Sequence, residues 1–259
     1  MSNPQLPAEL LDLIVDHLHD AYGALMNCCL VATSWIPRTR THLFADIRFR
    51  AEEGLESWKM TFPDITPSSP ARYTKTLRID CPHVITAADV EAGGWIRCFS
   101  QVVQLELGSQ KLYVDESDLF LSPLQRFSHV VKSLLIDSRP LHSSQIFHLI
   151  LSFPLLEDLT VINPNRAMAN DDGGSDDHPS NPPAFTGSLQ LMVLGVRPLV
   201  RRLLSLPGGI HFRKLMLTFY RQDTPLITAL VEGCSHTLET LDIICDPYSA
   251  CVWHLRPDR

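Results

Sequence analysis

The chain has 259 residues, of which 45% are hydrophobic and 20% charged, so it is long enough for one large or two smaller folded domains. Its net charge of -7 repels nucleic-acid phosphates and disfavours general nucleic-acid binding. No apolar run reaches the roughly 18 residues of a membrane span, no basic N-terminal region marks a signal peptide, and the cysteines form no CxxC pair; we therefore predict a cytoplasmic or nuclear protein with reduced thiols.

The segment LPAELLDLIVDHLHD predicts an amphipathic helix near the N-terminus. Pro7 suits the first helical position, and Glu9 complements the positive end of the helix dipole. Leu10, Ile14 and Leu18 follow at a spacing of four and form one wide apolar face. The local sequence therefore predicts both where this helix begins and which of its faces is apolar.

Two further short helices are predicted before Pro37, one around Leu25 and one in LVATSW, which carries Val31 and Trp35. Three short helices in about forty residues build only a small core. Such a unit leaves apolar side chains open, which usually means that a partner covers them. A small helical cap on the domain that follows is the alternative interpretation.

The order and spacing of these residues resemble an F-box, over about residues 5 to 47. The continuation HLFADIRF also resembles fungal F-box proteins. Residues 32 to 34 depart from the family pattern, in which basic residues are common, and this affects the polar part of the contact. The residues that match the family pattern are Leu6, Pro7, Glu9, Ile14, Leu18, Leu25, Val31 and Trp35.

The resemblance implies a partner, namely the small adaptor subunit that links F-box proteins to the cullin scaffold of an SCF-type ubiquitin ligase. An apolar helix at the start of the chain then has a function, because the adaptor can cover it. The residues expected to bind the adaptor are Leu6, Pro7, Leu10, Ile14, Leu18, Leu25, Val31 and Trp35.

A leucine pattern recurs through the rest of the chain. The central residues Leu77, Leu105, Leu134 and Leu159 are 28, 29 and 25 residues apart, and Leu-x-Leu alternation around each predicts a strand. Similar segments are centred on residues 215 and 241, and a poorer copy, SLQLMVLG, lies before them at residues 188–195. This period is in the range of leucine-rich repeats.

Helical patterns alternate with these strands, in SSQIFHLILSF, RPLVRRLLSLP and DTPLITALVEGC. We therefore predict an α/β fold consisting of an N-terminal three-helix F-box followed by an irregular leucine-rich-repeat solenoid of strand-helix units. The Asn that usually closes each repeat is mostly missing. An ordinary α/β domain with leucine-rich strands is the alternative.

The predicted organisation has three parts. Residues 5–47 form the F-box, residues 48–72 a linker or irregular first unit, and residues 73–259 the repeat-like domain. Within the last part, residues 163–187 are rich in Pro, Gly, Asn and Asp and predict a disordered insertion. Its DDGGSDD run lacks the ligand spacing of a calcium-binding loop.

In each strand, the residue between the two inward-pointing apolar residues points to the opposite face of the sheet. We predict that this row binds a substrate protein, because its mixed character suits a protein more than a nucleic acid. The row consists of Arg78, Glu106, Leu135, Thr160, Met216 and Asp242.

No catalytic motif is present in the sequence: there is no nucleophile elbow, phosphate loop or zinc-protease motif. We predict a protein that is not an enzyme and uses no cofactor or metal. A hydrolase whose catalytic groups meet only on folding is the alternative from another class. The resemblance implies the substrate-recognition subunit of an SCF-type ubiquitin ligase. A non-degradative scaffold for protein-protein interaction is the alternative.

Overall fold

The computed structural model describes residues 7–62, 69–80, 94–109, 124, 130–138, 143–162, 185–192, 197–245 and 252–253. Leu6 and residues 163–184 of the predicted insertion lie outside them. The described α-helices are α1 (Ala8–His17), α2 (Tyr22–Val31), α3 (Ile36–Leu43), α4 (Glu52–Thr61), α5 (Ser143–Leu151), α6 (Arg197–Leu204) and α7 (Thr224–Gly233). The strands are β1 (Asp46–Phe49), β2 (Thr76–Ile79), β3 (Gln104–Ser109), β4 (Ser133–Ser138), β5 (Asp158–Ile162), β6 (Ser188–Met192), β7 (Lys214–Phe219), β8 (Thr240–Cys245) and β9 (Val252–Trp253).

The nine described strands belong to one sheet, and their order in the sheet follows their order in the chain. β1 to β8 pair in parallel with their neighbours, and the two residues of β9 pair antiparallel with β8. The order of the described strands does not reverse at any point, whereas open α/β sheets typically bind small ligands in the crevice at a reversal.

The core lies against one face of this sheet. The leucine row predicted from the repeat pattern runs across it in register, with Leu77 paired with Leu105 and Leu134 with Leu159, all fully buried. Buried residues of α5, α6 and α7, such as Ile150, belong to the same cluster. Alternation along each strand therefore separates a buried apolar face from an opposite polar face.

The predicted division into a helical F-box and a repeat solenoid is wrong. The protein is an α/β fold on a single sheet, and its first strand, β1, directly follows α3 and pairs in parallel with β2. Residues 48–72, predicted as a linker or an irregular first unit, contain the end of β1 and α4, whose Leu55 is fully buried in the same core. β1 and α4 therefore contribute to the same core as the strands that follow them.

The reason for this error is physical. A spacing of 25 to 29 residues measures one strand and one returning segment, and every parallel α/β sheet has to return the chain in this way. Leucine-rich strands are likewise required wherever a parallel strand is buried. The pattern therefore located the strands correctly without distinguishing a solenoid from an ordinary α/β fold, the alternative that the structure favours.

Candidate protein-binding surfaces

α1 is apolar on two sides. Val15 is buried, and Leu18 is half-buried beside it, so this side faces the neighbouring α3. The other side carries three exposed residues at helical spacing, Leu10, Leu13 and Ile14, and the Leu13 side chain is 55% exposed. Burial within the chain therefore accounts for only one of the two apolar sides.

α2 repeats this arrangement. Leu25 and Cys28 are buried, while Tyr22, Met26 and Leu30 recur every four residues on an exposed face. Leu30 is 84% exposed. The exposed side chains of α1 and α2 are together called the N-terminal apolar stripes, and they are Leu10, Leu13, Ile14, Tyr22, Met26, Leu30 and Val31.

A charged network fixes α1 on α3. Asp16 of α1 accepts a hydrogen bond from Arg38 Nε at 2.6 Å and a second from the same guanidinium, and it contacts His42 Nε2 at 2.8 Å. Bidentate pairing of this kind orients both partners. The hydrogen bond from Arg38, followed by that from His42, holds the pKa of the Asp16 carboxyl well below its usual range. The network thereby sets the direction in which α1 presents its exposed stripe.

The low pKa of Asp16 predicts a pH-dependent contribution to stability. The unfolded chain takes up a proton near the ordinary aspartate pKa of about 4, above the folded-state pKa, so the contribution is present above pH ~4 and is lost as the pH falls further. We expect Asp16→Asn to be less stable than the wild type at pH 7, and this difference to shrink below pH ~4. Urea unfolding of both proteins at several pH values measures it, and a difference that is constant with pH would contradict the assignment.

The structure places the predicted adaptor-binding residues in different environments. Pro7, Leu10, Ile14 and Val31 are exposed. Leu18 and Trp35 are half-buried. Leu25 is 1% exposed and packs inside the helical unit, so its side chain supports the surface and does not face a partner.

Leu13, Tyr22, Met26 and Leu30 were missed by the sequence analysis. The spacing of Tyr22, Met26 and Leu30 at every fourth residue was a readable signal for an apolar face. It was obscured because Leu25 and Cys28 give α2 a second apolar side.

The six residues predicted to bind a substrate are brought into one row across the sheet. Arg78 pairs with Glu106, Glu106 with Leu135 and Leu135 with Thr160, while Met216 pairs with Asp242 further along the sheet. The row also contains Arg48 and Gln190, which the sequence analysis did not include. Both were readable from the alternation in DIRF and SLQLM, the second of which looked like a poor repeat.

Charged side chains satisfy one another at the β1 end of this row. Asp80 accepts hydrogen bonds from Arg48 Nε and Arg78 Nε, each at 2.9 Å, and Arg78 Nη1 contacts Glu106 at 3.3 Å. The hydrogen bond to Asp80 also raises the pKa of Arg78. The cations at this end therefore already have partners within the chain.

The described residues contain no group of three or more side chains placed to hold a metal ion. None of the described helices is long and apolar enough to cross a lipid bilayer. Within the described residues, two surfaces are the candidates for binding a partner: the N-terminal apolar stripes and the polar face of the sheet. Comparison with known proteins adds no assignment, since neither a family model nor a curated protein matches the chain.

Proposed function

We propose that the protein is a substrate-recognition subunit of an SCF-type ubiquitin ligase, in which α1 and α2 bind the adaptor subunit. The observation that carries this proposal is the exposure of the N-terminal apolar stripes. Side chains such as Leu13 and Leu30 are exposed to water in the free chain. Burying them in a complex would gain about 25 cal/mol for each Å² of apolar surface removed from water.

The resemblance of residues 5 to 47 to an F-box supplies the identity of the partner. The helices of this segment present Leu10, Ile14 and Val31, three of the predicted contact residues, on exposed positions. Asp16 and Arg38 hold α1 in a fixed orientation, so little order has to be gained on binding. The adaptor would connect the chain to a cullin scaffold in the cytoplasm or the nucleus.

In this proposal the protein performs no chemistry itself. The polar face of the sheet binds a substrate protein, and the ligase complex holds that substrate near a ubiquitin-conjugating enzyme. Tethering of this kind accelerates modification by raising the effective concentration of the two reactants.

A pull-down with a purified SCF adaptor tests the proposal. The wild type should bind, and Ile14→Asp should not, because the complex would bury a carboxylate without a partner. Ile14→Val keeps the apolar character of the site and should retain binding. Adaptor binding that is equal for all three proteins, or that is missing for the wild type, would overturn the proposal.

A further inference from the structure

The two faces of the parallel sheet differ in what covers them. Leu134, Leu159 and their neighbours are packed under helices on one face. On the other face, Met216 is 39% exposed and Met192 41%, and none of the described helices contributes to a core there. Sheets of parallel strands normally have both faces covered, so a face that the described helices leave partly exposed indicates a binding surface.

From β4 to β8, this polar face also carries several apolar side chains. Ile162, Met192, Thr218 and Ile244 are neighbours in register, and Ile244 is 48% exposed. Leu135 and Met216 lie in the adjacent row. Two methionines among these residues give the surface adaptable side chains, which can pack against apolar groups of different shapes.

Three carboxylates lie on the same part of this face, those of Asp137, Asp158 and Asp242. The carboxylates of Asp137 and Asp242 accept no hydrogen bond and form no ion pair within the part of the chain that the structure describes. The Asp137 carboxylate acts on Arg78 only as a more distant charge. Asp158 accepts hydrogen bonds from the backbone N–H and the hydroxyl of Ser188. Among the outward-facing residues of β4 to β8 that are paired in register, Lys214 is the one basic residue. Three aspartates face the same side, so this area carries a net negative charge.

We infer that this face binds a basic segment of another protein, with apolar side chains seated on Met192, Met216 and Ile244 and basic side chains near Asp137 and Asp242. The inference rests on the proposed function and names the chemical class of its substrate. Charge complementarity selects the partner, since an acidic segment would meet repulsion from both carboxylates. The satisfied cations at the β1 end do not offset this preference, because Asp80 and Glu106 already pair with them.

Two labelled peptides of alternating leucine with lysine or with glutamate test the inference by fluorescence anisotropy with the full chain. The lysine peptide should bind and the glutamate peptide should not. Met216→Lys, and separately Asp137→Asn with Asp242→Asn, should each weaken binding by about tenfold or more, the loss typical of a contributing interface residue. Leu155→Lys is the matched control, since Leu155 is 49% exposed and lies before β5, outside the strands.

Equal binding of the lysine peptide by all variants would overturn the inference, as would binding of neither peptide or preference for the glutamate peptide. Adaptor binding measured on the same variants separates this result from the proposed function. The N-terminal apolar stripes are unchanged in all of them, so adaptor binding should persist whatever the peptides do. Loss of adaptor binding by wild type and variants alike would instead count against the proposed function.

Discussion

Phe99→Ala is expected to lower the free energy of unfolding by about 3–5 kcal/mol, as the truncation of a fully buried Phe does in other cores. Phe99 is 0% exposed. Its ring centroid lies 5.6 Å from that of Trp95, 5.7 Å from Trp58 and 6.3 Å from Phe49, distances at which aromatic rings attract one another beyond simple burial. Truncation would leave a cavity among rings from β1, α4 and the turn before β3.

Phe62→Ala is the control for this prediction. Phe62 is half-buried at the edge of the same cluster, and its ring centroid lies 4.7 Å from that of Trp58. Because less surface is buried there, we expect a cost of only about 1 kcal/mol. Chemical denaturation measures both changes, and similar costs for the two variants would contradict the view that this cluster joins α4 and β1 to the sheet.

Leu30→Lys is expected to weaken adaptor binding by at least about thirtyfold, the loss that accompanies a hot-spot residue worth about 2 kcal/mol. The free chain should tolerate the change, because Leu30 is 84% exposed and lysine is acceptable in the last turn of α2. Its stability should change by no more than about 0.5 kcal/mol.

Met60→Lys is matched to Leu30→Lys in two respects. Met60 is 83% exposed, and it holds the same next-to-last position in α4 that Leu30 holds in α2. It belongs to neither of the N-terminal apolar stripes, so its substitution should leave adaptor binding unchanged. Equal losses for the two variants would show that the effect comes from added charge and not from the stripe.

The strands could be predicted from the sequence because their signal is local. Alternation around Leu77, Leu105, Leu134 and Leu159 fixes which side chains are buried, and the structure buries all of them. The pairing of these strands is a property of residues far apart in the chain. A leucine period cannot show it, and the predicted fold of a repeat solenoid was wrong for that reason.

The surfaces were predictable in part. The substrate row followed from alternation, and the register of the sheet places Arg78, Glu106 and Leu135 side by side. The helical surface was harder to define, because α1 and α2 each carry two apolar sides. Periodicity alone cannot tell which side packs on α3, and this is why the sequence analysis selected the buried Leu25 and not the exposed Leu30.

Calorimetric titration of a purified SCF adaptor into the wild-type chain tests the central claim most directly. We expect saturable binding of one adaptor per chain with a negative change in heat capacity, the mark of apolar surface removed from water. That result would assign the N-terminal apolar stripes to the ligase. The absence of binding heat at several temperatures, with the chain folded, would contradict the claim.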